Sequence, residues 1–163
     1  MIKERITSGL FIETSDESET EIVTVDDVKA KLNIDFAAHD ALINDILKQC
    51  RGQIEQKINR SLVSRDVVAV WKEAFDWVEI PFSPVTGALT VTDLDDAAIE
   101  TEYKVVGNKV YGDFENGLKL TYSTDVFTNE RVKRALIDMT AEKFTDRDTP
   151  IYELLKMHAI NLI

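Results

Sequence analysis

The chain has 163 residues, of which 44% are hydrophobic, and its formal net charge is −11. At this length the default is a single domain that buries about 70% of its unfolded surface. The strong negative charge disfavours direct binding to nucleic-acid phosphates or to an anionic membrane, and it favours solubility or repulsion of nearby DNA.

The first 23 residues predict a short strand followed by an acidic loop. The hydrophobic run Leu10-Phe11-Ile12 is the strand candidate, and residues 13–27 carry seven acids and no lysine or arginine. We interpret this acidic run as a solvated segment. The functional alternative is an acidic arm that faces DNA or a basic partner.

Two helices are predicted next. Thr24 is placed to cap a helix of about two turns. The longest helical pattern in the chain, residues 40–59, follows after a loop. Its hydrophobic residues repeat at helical spacing over one wide face, namely Leu42, Ile43, Ile46, Leu47, Cys50, Ile54 and Ile58. So wide a face predicts a helix that packs against more than one neighbour.

Between residues 65 and 123 the hydrophobic period changes to the alternation of short β-strands. Strands are predicted around residues 67–71, 77–80, 89–92, 102–106, 109–111 and 118–122. Pro81 and Pro84 end the second of them, and Gly107-Asn108 predicts a tight hairpin. The expected arrangement is an antiparallel meander or a small sandwich.

The C-terminal part predicts a second long helix, from Thr128 to about Phe144, and a hydrophobic tail. Nine of the thirteen residues from Ile151 to Ile163 are apolar, and the polar ones share no face. A helix that is apolar on all sides should be enclosed, so the tail either docks in its own core or lies against another chain. The second alternative makes the following residues a candidate partner interface: Ile151, Leu154, Leu155, Met157, Ile160, Leu162 and Ile163.

Together these elements predict an α+β fold in a single domain, residues 1–163. A small helical bundle, made by the long central helix and a C-terminal helix, carries an inserted antiparallel β region. The predicted parts are the N-terminal strand and acidic loop (1–23), a helical segment (24–62), the β region (65–123) and the C-terminal helices (128–163).

The sequence contains no recognisable catalytic constellation. His39 and His158 lie near opposite ends of the chain, and nucleotide-binding and hydrolase motifs are absent. Asp93, Asp95 and Asp96 resemble part of a calcium loop but lack its glycine and glutamate, so we interpret them as turn residues. We therefore predict no catalytic residue, no cofactor and no metal site.

The cysteine content and the N-terminus predict a protein that is made in the cytoplasm. The single cysteine, Cys50, cannot form an intrachain disulfide or build a zinc site alone, and we interpret it as a small core residue. Residues 1–5 lead into no hydrophobic leader, and no stretch is long enough to span a membrane. The protein is expected to stay in the cytoplasm or to be assembled from there into a larger structure.

Six short strings carry a resemblance to a known family, at residues 24–35, 39–43, 80–85, 120–123, 135–137 and 144–147. Taken in order, they resemble the gp6-like head–tail connector family of tailed bacteriophages. The opening helix of that family usually has glutamate and arginine at the positions of Asp27 and Asn33. The similarity spans about residues 22–155, and the acidic N-terminal run and the hydrophobic tail depart from the family pattern.

The resemblance implies a structural protein without catalytic activity. Such connectors assemble as a ring of about a dozen copies with cyclic symmetry. The ring lies under the portal, extends the DNA channel and offers a surface for tail attachment. The implied partners are other copies of the chain, the portal protein and a tail-proximal connector or stopper protein, while DNA passes through without specific binding. No membrane is implied, and the expected location is the head–tail interface of a virion.

Two other functions remain open at this level. The first is a cytoplasmic acidic adaptor or regulator that binds a basic protein. The second is an enzyme, which the side chains at hand favour least.

Overall fold

The computed structural model describes residues 10–15, 20–73, 76–99 and 102–145, which divide into two compact units. A β unit comprises the described parts of Met1–Ser18 and Val63–Val126. A helical unit comprises those of Glu19–Leu62 and Phe127–Ile163. The fold is α+β, as predicted, and most of the strands are inserted between the helices. The single-domain interpretation stays a prediction.

The helical unit contains α1 (Val25–Leu32), a single 3-10 turn (Ala37–His39), α2 (Asp40–Ile58) and α3 (Glu130–Phe144). The prediction of one continuous helix from residue 40 is confirmed, because α2 is unbroken over its 19 residues. The three helices enclose one core, formed by Val23, Val28, Ile43, Leu47, Cys50, Ile54, Ile58, Leu62, Val132, Ala135, Leu136, Met139 and Ala141. The wide apolar face of α2 is thereby covered by α1 and α3, which also contact each other.

Two residues of the predicted apolar face of α2 are not in this core: Ile46, which is partly buried and packs against it, and Leu42. Leu42 is 51% exposed because it lies at the margin of the apolar face, whereas Ile43 in the same first turn is fully buried. Two charged residues are buried instead, Arg51 at 3% and Glu55 at 2% exposure. Glu55 Oε1 accepts a 2.7 Å hydrogen bond from the Leu62 amide, which ties the chain after α2 back onto the helix.

The start of α1 is a reciprocal capping arrangement. Thr24 Oγ1 accepts a 3.2 Å hydrogen bond from the Asp27 amide, and Asp27 Oδ2 accepts from the Thr24 amide at 2.8 Å. These two bonds satisfy amide groups that a helix start otherwise leaves unpaired. The predicted cap is confirmed. Asp27 supplies the carboxylate of this capping box.

Replacing Thr24 by alanine is expected to lower the free energy of unfolding by about 1 kcal/mol, since the Asp27 amide loses its acceptor. Asp27→Ala should have a similar effect. The double variant should lose less free energy of unfolding than the two single variants together, because both side chains serve one cap. Urea unfolding followed by far-UV circular dichroism measures this. Asp26→Ala is the matched control, since it removes a charge from the same turn without removing the cap, and an equal effect there would contradict the interpretation.

The same cap has a defined pH dependence. Hydrogen bonds from the Thr24 amide and hydroxyl hold the pKa of the Asp27 carboxyl below its usual value. A lowered pKa means that the carboxylate stabilises the folded chain at pH values above the ordinary pKa of aspartate. That contribution is lost as the pH falls through the lowered pKa, so the difference between the Asp27→Ala variant and the wild type should shrink in acid.

The β unit has seven strands in two sheets. The strands are β1 (Phe11–Thr14), β2 (Arg65–Trp71), β3 (Trp77–Glu79), β4 (Val85–Thr92), β5 (Lys104–Val106), β6 (Lys109–Tyr111) and β7 (Leu118–Thr124). One sheet has the order β1-β2-β7-β4 and the other β3-β6-β5, and every pairing is antiparallel. The central pair of the larger sheet, β2 and β7, joins distant parts of the sequence, so the strands do not form a simple meander.

The two sheets share one hydrophobic core. Ala69 lies opposite Leu120 and Trp71 lies opposite Leu118, so alternate residues of β2 and β7 line one face. The core consists of Val67, Ala69, Trp71, Val78, Ile80, Val91, Val110, Phe114, Leu118, Leu120 and Tyr122. Tyr122 buries its ring there and donates a 2.6 Å hydrogen bond to the Pro81 carbonyl. Burial raises the pKa of this phenol, so Tyr122 is a packing residue.

Candidate assembly surfaces

Within residues 10–15, 20–73, 76–99 and 102–145, no group of three His, Cys, Asp or Glu side chains is placed to hold a metal ion. Cys50 is buried in the helical core, and its burial raises the pKa of the thiol, which makes it a poor nucleophile at neutral pH. The candidate sites of this chain are surface patches in its two units.

The three aspartates near residue 95 are turn residues. Asp93 Oδ1 accepts hydrogen bonds from the amides of Asp95 and Ala97 at 2.9 and 2.8 Å. Asp96 forms a 2.6 Å ion pair with Lys119 of β7. The carboxylates of Asp93 and Asp96 thus hold the loop after β4 in shape, and the three aspartates are turn residues, as the sequence predicted.

The first candidate surface, which we call the hairpin surface, is the outer part of the β5–β6 hairpin. Its large apolar side chains are exposed by 40–49%, and they are Tyr103, Val105, Val106 and Tyr111. Lys104 is also exposed, and the Lys109 ammonium lies 3.9 Å from the centre of the Trp77 ring. A cation over an indole face is a favourable arrangement that fixes the lysine on this surface.

The register explains why so many apolar side chains of the hairpin are exposed. Val105 pairs with the buried Val110, so it faces the core side but extends beyond it. Val106 pairs with Lys109, so it lies on the opposite face. Two consecutive valines cannot both point into one core, since neighbouring residues of a strand alternate between faces. The two-residue turn at Gly107-Asn108, where Gly107 has a φ of +61°, sets this register.

The second candidate surface, the acidic groove, also belongs to the β unit. It lies between the turns 93–99 and 113–117, and its lining includes Asp93, Ile99, Asp113, Phe114 and Glu115. Asp113 and Glu115 are exposed, whereas Phe114 is buried beneath them. The Gly117 amide donates to the Phe114 carbonyl at 2.9 Å, which closes the second turn. The groove is therefore an open cleft with an apolar floor and a negative rim.

The third candidate surface lies in the helical unit, at the start of α2. The His39 ring contacts the rings of Phe36 and Phe144 edge to face, with centroids 5.5 and 5.6 Å apart. Phe36 and Leu42 are each about half exposed, at 50% and 51%. We call these four residues the aromatic patch. His39 is thus placed in a surface cluster with aromatic neighbours, as an interface residue would be.

The predicted acidic loop has a different role in part of its length. Glu21 does not stand in solvent, because its Oε2 atom forms an ion pair with Nε of the buried Arg51 at 3.2 Å. Glu13 lies in β1, and Asp26 and Asp27 belong to the first turn of α1. In the described residues the acidic run therefore includes structural side chains and is not a uniform solvated arm.

The candidate interface residues of the tail, Ile151 to Ile163, lie outside the described residues, as does His158. The hairpin surface and the acidic groove were not identified from the sequence. The sequence does contain a signal for the hairpin surface, since Val105 and Val106 place apolar residues on both faces of the short strand β5 and Tyr103 directly precedes it. The groove combines two turns about 20 residues apart in the sequence, and no local pattern marks it.

Among the described helices, none combines the length and the apolar character needed to cross a lipid bilayer.

Comparison with known proteins identifies the architecture. The profile of the phage gp6-like head-tail connector proteins matches residues 22–106. This interval is shorter than the resemblance seen in the sequence, which extended to about residue 155. No curated protein matches the sequence.

Solved structures with the same fold come from gene transfer agent (GTA) particles. A chain of the "neck of empty GTA particle computed with C6 symmetry" superposes with a TM-score of 0.63 at 15% identity, covering 90% of this chain and 94% of that one. A chain of the "virion of native gene transfer agent (GTA) particle" has a TM-score of 0.60 at 15% identity, with 87% and 93% covered. A third, from the "neck of native GTA particle computed with C12 symmetry", has a TM-score of 0.54 at 15% identity, with 88% and 94% covered.

Proposed function

The chain belongs to the phage gp6-like head-tail connector family, and from that premise we propose that it forms a ring at the head–tail interface of a virion. This family consists of structural phage proteins and is not an enzyme class. The proposed ring lies under the portal, extends the DNA channel and offers the surface to which the tail attaches. The family match is the observation that carries this proposal.

Cyclic assembly has support from the fold and from the surfaces. Chains of the same fold come from necks that were computed with C6 and with C12 symmetry. This chain exposes apolar side chains in both of its units, at the hairpin surface and at the aromatic patch. Apolar patches of this kind on a water-soluble surface are typical of protein interfaces. The proposed partners are other copies of the chain, the portal protein and a tail-proximal connector or stopper protein.

The charge of the chain suits a channel through which DNA must slide. Affinity for duplex DNA grows with the number of phosphates that basic side chains neutralise. With 30 acidic and 19 basic residues, this chain has an excess of acids. A ring wall with that balance repels the phosphates and leaves DNA mobile, so we propose passage without specific binding.

The hydrophobic tail is proposed to bind the portal or an adjacent subunit. Nine of its thirteen residues are apolar, and they are distributed around the helical projection. Such a segment buries most apolar surface, and is stabilised most, when another surface covers it from several sides. The proposed contact residues are Ile151, Leu154, Leu155, Met157, Ile160, Leu162 and Ile163.

Deletion of the gene in the phage or prophage that encodes it tests the proposal. Electron microscopy is expected to show heads and tails that fail to join, and the infectious titre should fall by several orders of magnitude. Expression of the intact chain in trans should restore joining, and a variant ending at Pro150 should not. Normally tailed particles from the deletion strain would contradict the proposed function, whereas full rescue by the truncated variant would contradict only the role of the tail.

A further inference from the structure

The hairpin surface includes an exposed sheet edge at β5, whose protection is limited to its three-residue length and one lysine. Among the described residues β5 pairs with β6 alone, so its outer edge presents unpaired backbone groups. Edge strands are usually guarded by charges, prolines or bulges that prevent association with other chains. Here Lys104 is the one charged residue of β5, and the two valines beside it are 44% and 49% exposed. An edge of this kind is suited to a partner.

The β5–β6 hairpin carries positive charge in a chain that is strongly negative. Residues 103–111 contain two lysines and no acid, although the whole chain has a net charge of −11. Glu79 of β3 lies opposite Lys109 in the sheet, so Lys104 is the lysine of the hairpin that has no acid opposite it in the register. Lys109 is held over Trp77, and Lys104 is exposed on the same face, because it pairs with Tyr111 and thus lines up with Trp77. A partner for this surface should therefore combine apolar area with carboxylates.

The acidic groove has that chemistry. Asp113 and Glu115 supply exposed carboxylates on one turn, and Ala97, Ala98 and Ile99 supply an apolar wall on the other. The residues 113–117 contain two acids and no base. Both turns are held by hydrogen bonds within the β unit. Because the turns are already ordered, binding in the groove costs little conformational entropy.

We infer that the hairpin surface of one copy binds in the acidic groove of the next copy and forms one of the contacts that close the ring. This inference rests on the proposed ring. Val106 lies against the apolar wall of the groove, and Lys104, which is on the same face of β5, lies against the carboxylates of Asp113 and Glu115. Since the two surfaces consist of different residues, the contact is head to tail and can repeat around a cyclic assembly.

Charge reversal tests the pairing in the purified protein. Lys104→Glu, and separately the pair Asp113→Lys with Glu115→Lys, should each weaken self-association at least about tenfold, because like charges then face each other. All three changes in one chain should recover at least about tenfold over the groove variant, since the pair is restored with opposite signs. Sedimentation velocity over a range of concentrations gives the association constant.

Lys48→Glu is the matched control, because Lys48 is exposed on α2 in the other unit. Its association constant should stay within about threefold of the wild-type value, which corresponds to a change of about 0.7 kcal/mol or less in the free energy of association. A triple variant that associates no better than the groove variant overturns the inference. So does a Lys48→Glu effect as large as that of Lys104→Glu, since it would show a response to net charge alone.

If the isolated chain remains monomeric, cross-linking in assembled particles tests the contact between the hairpin surface and the acidic groove. Chains carrying both Val106→Cys and Glu115→Cys should give a ladder of cross-linked multimers after treatment with a short bifunctional thiol reagent. Each single variant should give none, and Cys50 is buried and should not react. Tailed particles without a ladder overturn the inference while the proposed function stands, whereas failure of the intact chain to support tailed particles concerns the proposed function.

Discussion

Leu47→Ala is expected to lower the free energy of unfolding by about 2–5 kcal/mol, because it removes a buried side chain and leaves a cavity. Leu47 is 1% exposed and lies midway along α2, where the helical core surrounds it. Urea unfolding followed by far-UV circular dichroism is the measurement, since this signal reports mainly on the helices.

Leu42→Ala provides the matched control for this effect. It is the same substitution in the same helix, but Leu42 is 51% exposed. Surface changes usually alter stability by about 0.5 kcal/mol or less, so this variant should unfold almost as the wild type does. Similar losses for the two variants would show that burial does not distinguish them, and the packing described for α2 would be wrong.

Gly117→Ala is the second change with a large expected effect. Gly117 has a φ of +92°, which side chains rarely adopt. A β-carbon there would lie 2.8 Å from the Leu94 side chain and 2.9 Å from the Lys72 carbonyl oxygen. Backbone strain alone costs about 1–3 kcal/mol, and the approach to a carbonyl oxygen adds to it. Both tryptophans, Trp71 and Trp77, lie in the β unit, so intrinsic fluorescence during urea unfolding reports this loss.

Gly52→Ala should change stability in the opposite direction. Gly52 lies inside α2, and a β-carbon at this position meets no atom within 4 Å. Alanine in a helix interior is favoured over glycine by about 0.5–1 kcal/mol. If both glycine variants were stabilised, or both destabilised, the distinction between a strained turn and an open helical site would not hold.

The Gly117 change also separates folding from assembly. Gly117 lines the acidic groove but offers no side chain to a partner. Its replacement should therefore alter the unfolding of the β unit, whereas Lys104→Glu should alter association and leave unfolding unchanged. A loss of stability in Gly117→Ala, and a loss of association without a loss of stability in Lys104→Glu, are the pattern expected if the turn at Gly117 shapes the groove and Lys104 acts only at the contact.

The assignment to a family depends on the whole order of elements more than on any single string. The sequence resemblance relied on short matches that are individually weak, and the family profile then matched residues 22–106. Solved chains with the same fold are 15% identical to this one. Packing preserves such a fold while most side chains change, because many combinations of hydrophobic residues fill a core of given volume.

The amino-acid sequence by itself determined the local features of this protein. The continuous helix from Asp40, the Thr24 cap and the hairpin turn at Gly107 were all predicted and are all present. Each depends on residues a few positions apart, whose helical periodicity, capping side chains or positive φ act over one or two turns of chain. The α+β class follows from the same signals, since it needs only the type of each element.

The tertiary structure alone decided which of these elements meet and which side chains remain outside. The pairing of β2 with β7 joins residues more than 45 positions apart, as Trp71 and Leu118 show. The burial of Arg51 and Glu55 and the exposure of Leu42 reverse what hydrophobicity predicts for single positions. Long-range pairing and burial depend on the whole set of neighbours competing for one core, and a periodic pattern carries no information about those neighbours. For the same reason the hairpin surface and the acidic groove emerge only once the chain is folded.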